Sequence, residues 1–183
     1  LLNLRVENTG GAATRELWTG VTGSSISSIP LSTAPSSSAA LTSLAAPGNG
    51  ADNFGARIRG YITAPTTGQY YFWLSASESA EFWLSNDADT INNFRRVTVS
   101  GGGTAPQQWA SAVRSPWMAL EQGKRYYFEI LHKSGVGEDH LALGWSKPGE
   151  NATAPSEVVP GYVLSPYEAP AAGSSGGTLY VAT

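Results

Sequence analysis

From Phe54 onward the chain alternates. In FGARIRGYIT, Phe54, Ala56, Ile58 and Ile62 fall on one side, and Arg57, Arg59 and Tyr61 on the other. That period of two predicts a half-buried strand over 54–63. Pro65 and Gly68 mark a turn, and the aromatic run QYYFWLS predicts its hairpin partner at 68–75. AEFWLS predicts a strand at 80–85 and FRRVTVS a further one, with GGGT at 101–104 a flexible break. A short extended piece at 116–120 enters a turn at EQGK. RYYFEILHK, HLALGWS and VVPGYVLSPY then predict strands at 125–133, 140–146 and 158–164. The expected core is Phe54, Ile58, Ile62, Phe128, Ile130, Leu141, Leu143 and Trp145. Phe128 and Ile130 face inward rather than Tyr127 and Glu129, because the reverse would bury Glu129 unpaired. Of each adjacent aromatic pair in YYFWL and EFWL, one member faces the core. The other covers the sheet against the 20–50 loop or offers a stacking platform to a sugar. Trp109 and Trp117, in the irregular 105–118 region, are expected to be exposed.

No long stretch shows a 3.6-residue period with caps. The fold class is therefore all-β, an antiparallel β-sandwich or Greek-key barrel with a long irregular N-terminal loop. That loop is residues 20–50, rich in Ser, Gly, Ala and Pro and free of charge. It is expected to lack regular structure and to pack on the sheet through Ile26, Ile29 and Leu31. The alternative is a linker that splits off residues 1–19, but Trp18 in RELWTG needs a core. Residues 1–167 form one domain. Residues 168–183 begin as a linker and end in TLYVAT, an extra strand or the start of a following domain.

Composition narrows the chemistry. Of 183 residues, 14% are charged, against about 25% in an average soluble domain, so polarity comes from uncharged hydrogen-bonding groups. The net charge is −3, and Arg95–Arg96 is the one clear basic pair; nucleic acid is not an expected partner. No apolar run approaches the ~20 residues that span a bilayer. LLNLRVEN lacks the layout of a signal peptide, which fits a removed leader or an excised domain alike. The absence of cysteine excludes disulfides, thiolate–zinc sites and thiol catalysis, and tilts the expected source towards bacteria. Asp87 and Asp89 form a polar turn without the offsets of a calcium-binding EF-hand loop. His132 and His140 lack regular metal-ligand spacing and read as packed or surface residues. No nucleophile elbow or phosphate loop occurs, and no carboxylate pair is singled out for glycoside hydrolysis.

Three phrases carry a resemblance when read together: DNFGARIRGYITAPTTGQYYFWLS (52–75), AEFWLS (80–85) and GKRYYFEILHKSGVGEDHLALGW (123–145). With RELWTG near the start, they resemble the domain family named after the N-terminal part of anthrax protective antigen, over roughly residues 15–165. The resemblance implies a mostly antiparallel β-sandwich that is usually non-catalytic. Its sugar-binding members hold calcium on two adjacent aspartates joined by a cis peptide. In this chain those positions are Ser77–Glu78, so the charge is reduced, any metal is expected to bind weakly, and a trans peptide is expected. Gly135 and Gly137 are expected to supply unusual backbone angles to the loop that completes such a site. The candidate ligand-binding residues are thus Ser77, Glu78, Asp139 and His140, with Glu78 and Asp139 as carboxylates for calcium. The alternative for Glu138–Asp139 is a solvated hairpin tip.

The function this implies is a non-catalytic carbohydrate-recognition or adhesion module. It would be a monomeric unit of a larger secreted or cell-surface bacterial protein, with a glycan or cell-surface polysaccharide as partner. A structural or protein-interaction spacer without a sugar or metal site is the alternative, and an enzyme the third reading.

Overall fold

The computed structural model describes residues 11–48, 52–99 and 103–169. Thirteen strands follow in chain order: β1 (Ala13–Trp18), β2 (Ser37–Leu41), β3 (Ala45–Ala46), β4 (Phe54–Thr63), β5 (Gly68–Ala76), β6 (Ser79–Ser85), β7 (Asn93–Val99), β8 (Val113–Arg114), β9 (Met118–Leu120), β10 (Arg125–Ser134), β11 (Leu141–Ser146), β12 (Glu157–Val158) and β13 (Leu164–Pro166). They form two antiparallel sheets. The first runs β2-β1-β4-β10-β6-β7, with β13 also on β4. The second runs β12-β11-β5-β8, with β3 on β11 and β9 on β5.

The expected strands are where the alternation places them. The one at 158–164 is divided into β12, a 3-10 turn at Gly161–Val163 and β13. Every expected core residue is buried, from Phe54 at 2% exposure to Phe128, Ile130, Leu143 and Trp145 at 0%. Aromatics fill the space between the two sheets: Phe72 of β5 lies 5.1 Å from Phe82 of β6, and within the second sheet Trp145 lies 5.5 Å from Tyr70.

Both outer faces are also covered, which the strand period does not reveal. On the first sheet, Trp18, Val21, Ile29 and Leu131 form a second cluster, with Ile26 and Leu31 packed on it. The 20–50 segment thus docks through the three residues expected. It does not lack regular structure, however: β2 pairs with β1 from Ala13–Leu41 to Leu17–Ser37. Its sequence, SSAAL, is almost entirely exposed small residues. Such an edge strand is held by backbone hydrogen bonds and buries little, so it leaves no apolar period. Farther along the same face, Tyr61 packs edge-on to Tyr127, and Tyr167 packs on Tyr127. Beside them Glu16 accepts hydrogen bonds from Arg57 (2.6 Å) and Arg59 (2.8 Å). Burial alone would raise its carboxyl, but the two guanidiniums outweigh this and hold it below the usual range.

On the second sheet, Trp73 is 2% exposed although it points away from the core. Its cover is not the 20–50 loop. Trp109 and Pro155 lie over Gly144, the cross-strand neighbour of Trp73, and Ser75 is bonded to Thr104 and the Ala105 carbonyl. Trp109 is consequently half-buried, while Trp117 is 54% exposed as expected.

Gly60 permits the docking of β13. A Cβ there would collide with the Ser165 carbonyl oxygen, so Gly60→Ala must push β13 away from β4. We expect a loss of about 1–3 kcal/mol, measured as a lowered urea midpoint; unchanged stability would show that β13 contributes nothing. TLYVAT lies outside the described residues.

Candidate functional site

The turn between β5 and β6 and the loop between β10 and β11 lie at the same end of the sandwich, because β10 pairs with β6 from Phe128–Leu84 to Lys133–Ser79. That register carries Ser77 and Glu78 towards residues 132–140. Ser77 N–H donates to the His140 carbonyl at 2.9 Å, and His140 N–H points back at Ser77 Oγ at 3.3 Å. Ser77 is 9% exposed, so its hydroxyl is a structural link rather than an open ligand. The Ser77–Glu78 peptide is trans. Glu78 itself has φ +52, a left-handed conformation that is uncommon for a non-glycine residue.

The two candidate carboxylates have separate partners. Glu78 Oε2 accepts the Gly135 N–H at 2.8 Å. Asp139, at 6% exposure, accepts the Ser134 hydroxyl. Lys133 is fully buried, and its ammonium donates to the Ser134 carbonyl at 2.6 Å. Burial pushes that ammonium below the usual lysine range, and the charges of Glu78 and Asp139 oppose the shift. Arg15 is likewise lowered by burial and held up by Asp139. Gly137 has the left-handed φ expected of it, +127. Gly135 does not. It is needed for space, since a Cβ there would lie 3.0 Å from Glu78 Oε1.

His132 was not singled out as functional, yet it organises this end. It is 3% exposed, edge-on to Phe54 at 5.4 Å, with Nε2 3.0 Å from the Ser77 carbonyl. A carbonyl can only accept, so Nε2 carries the proton. Burial pushes the imidazole down to about 4, reinforced by the nearby charges of Arg15 and Lys133 and opposed by that hydrogen bond. The signal was available in FEILH, where Phe128, Ile130 and His132 share the inward side.

Among the described residues, no three His, Asp or Glu side chains cluster to hold a metal ion. Calcium takes six to eight oxygens around one point. Here Glu78 and Asp139 are engaged by an amide and a hydroxyl, and two cationic side chains, the buried Lys133 and the half-buried Arg15, share the region. The residues present do not fit a calcium centre.

What remains open is a pocket of about 270 Å³ next to this cluster. Ala45, Ala46, Leu141 and Ala142 make its apolar floor, and Gln107, Glu138 and His140 its polar rim. Glu138 is exposed and His140 half-buried, with the imidazole lowered by burial. The structure brings the four expected site residues to one end and gives them different roles. Ser77 is an internal brace bonded to His140, Glu78 is tied to Gly135, and Asp139, bonded to Ser134, lines the pocket together with His140. Gln107 was missed, because nothing local in TAPQQW marks it as facing the β11 strand.

The family model of the PA14 domain matches residues 33–158. The chain belongs to the PA14 domain family. Its PA14 fold resembles the "PA14 sugar-binding domain from RTX adhesin" with a TM-score of 0.64 at 10% identity, covering 86% of this chain and 99% of that one. It also resembles the epithelial adhesin 9 A domain of Candida glabrata in complex with Galβ1-3GlcNAc, with a TM-score of 0.56 at 11% identity over 81% of this chain and 88% of that one. In sequence, 100 residues are 36% identical to mouse N-acetyl-β-glucosaminyl-glycoprotein 4-β-N-acetylgalactosaminyltransferase 1. That match covers 51% of this chain and 10% of the mouse protein, so this PA14 domain corresponds to a small part of its curated relative.

Proposed function

We propose that this PA14 domain is a non-catalytic carbohydrate-recognition module, carried on a secreted or cell-surface protein, that works without resident calcium. The observation that carries the reading is the near-complete structural overlap with a PA14 domain described as sugar-binding. Geometry adds to it. The pocket beside β11 pairs an apolar floor with planar polar side chains, the combination that receives a pyranose ring and its hydroxyls. Asp139 is committed to Ser134, so Glu138 has no second carboxylate free to complete an acid–base pair. Relatives from a mammal and a yeast share the family or its fold, so the fold favours no one source.

An array of immobilised glycans, probed with calcium or with chelator, tests this. Binding should persist in chelator, calorimetry should show no micromolar calcium affinity, and Glu138→Ala should weaken binding about tenfold or more. Calcium-dependent binding that disappears in Glu78→Ala would overturn the metal-free reading. No binding under either condition would leave the spacer role.

A further inference from the structure

The opposite end of the sandwich holds a second concave site. β6 runs from Ser79, beside the Glu78 turn, to Ser85, and seven residues of strand span about 20 Å. At the Ser85 end, residues of β6, β7 and β10 in the first sheet and of β9 on the second line a cleft of about 320 Å³, among them Asn86, Arg96, Trp117 and Tyr126. Trp117 is 54% exposed, whereas Trp18, Trp73 and Trp145 are at most 3% exposed, and Trp83 and Trp109 are half-buried.

Trp117 is not exposed for want of local order. Its neighbour Ser115 is 1% exposed and exchanges hydrogen bonds with Phe72 through both backbone and hydroxyl. Met118 opens β9, which pairs with β5. The indole is thus presented from an anchored backbone, at the rim of a cleft.

The polar side of the cleft is pre-arranged. Arg96 donates from Nε to the Leu84 carbonyl at 3.2 Å and from Nη2 to Asn86 Oδ1 at 3.0 Å. Its guanidinium lies 5.2 Å from the Phe94 ring centroid. These bonds hold both planar groups and leave Asn86 Nδ2 and Arg96 Nη1 without a partner among the described residues. An aromatic face with fixed planar donors suits a ring whose C–H face is apolar and whose rim carries oxygen acceptors. Among the described residues no carboxylate lines the cleft, so these supply neither the acid–base pair of a hydrolase nor the carboxylate ligands of a metal site.

We propose that this cleft is a second, metal-independent saccharide site, in which a sugar ring stacks on Trp117 and its oxygens accept hydrogen bonds from Asn86 and Arg96. The proposal rests on the carbohydrate reading above. With recognition sites at both ends, one domain would bridge two glycan chains or grip one chain at two points.

The test titrates the whole chain, in chelator, with lactose, Galβ1-3GlcNAc, cellohexaose and an oligogalacturonate, the last distinguishing an acidic sugar from neutral ones. The readout is the Trp117 indole N–H signal, assigned by its loss in Trp117→Phe. The expected result is that at least one probe shifts this signal, and that Trp117→Ala lowers its affinity about tenfold or more with an unchanged urea midpoint. Binding that leaves the Trp117 signal in place and is indifferent to Trp117→Ala overturns the second site while the carbohydrate reading stands. No binding of any probe, here or on the glycan array, overturns both.

Discussion

Replacing Trp145 by alanine is expected to lower the unfolding free energy by about 3–5 kcal/mol. Trp145 is 0% exposed and fills the centre of the sandwich, with Tyr70 at 5.5 Å and Phe72 at 6.3 Å. Its indole N–H donates to Glu157 at 3.2 Å, which ties β11 to the short β12. Truncation therefore loses transfer free energy, opens a cavity between sheets that cannot collapse without shifting paired strands, and removes the bond to Glu157. Urea unfolding measures the effect as a fall in midpoint with little change of slope. Trp145→Phe keeps most of the apolar volume and should cost roughly half as much or less. Equal losses for the two variants would show that the bond to Glu157, rather than packing, dominates.

Acid should weaken the fold through His132. Its folded pKa, about 4, lies below the ordinary value of about 6.5 that the unfolded chain recovers. Between those values the unfolded state binds more protons, so stability falls as the pH falls. The stability contributed by the neutral imidazole is fully present above pH ~6.5 and is lost progressively down to pH ~4. From pH 7 to pH 4.5 this amounts to on the order of 2–3 kcal/mol. His132→Gln retains a donor for the Ser77 carbonyl but does not titrate. Wild type should lose that much more than His132→Gln over the same range, because the contributions of carboxylates such as Glu16 cancel in the comparison. Parallel pH profiles for the two proteins would refute a buried neutral His132. The consequence reaches function, since protonating His132 places a charge beneath the Ser77 carbonyl, at the turn that braces His140 and the rim of the pocket.

Much of the architecture was legible because a strand's side-chain direction is a local property. FGARIRGYIT and RYYFEILHK declare their inward residues by a period of two, and each inward residue named from that period is buried. What escaped was structure without an apolar period. SSAAL forms β2 mostly through backbone pairing, with Leu41 its one residue in the core. Trp73 is buried on a face that the period marks as outward, because Trp109 and Pro155 close over Gly144. The same limit applies to Gly135, whose role is to admit the Glu78 carboxylate.

The sequence by itself determined the all-β class, the positions of the long apolar strands, their inward faces and the anchoring role of Ile26, Ile29 and Leu31. These follow from residue type and short-range spacing, which act through covalent geometry and burial. Only the tertiary structure decided which partners those residues meet. Glu78 and Asp139 are 61 positions apart, and the pairing of β10 with β4 and β6 brings their loops to one end. There Gly135 and Ser134 claim the two carboxylates separately, with Lys133 and Arg15 nearby, an arrangement that does not fit a calcium centre. Likewise, Trp117 meets Arg96 and Asn86 only where elements of the two sheets border one cleft. Side chains compete for hydrogen-bond partners and for space in three dimensions, and the outcome of that competition depends on long-range register that no local pattern encodes.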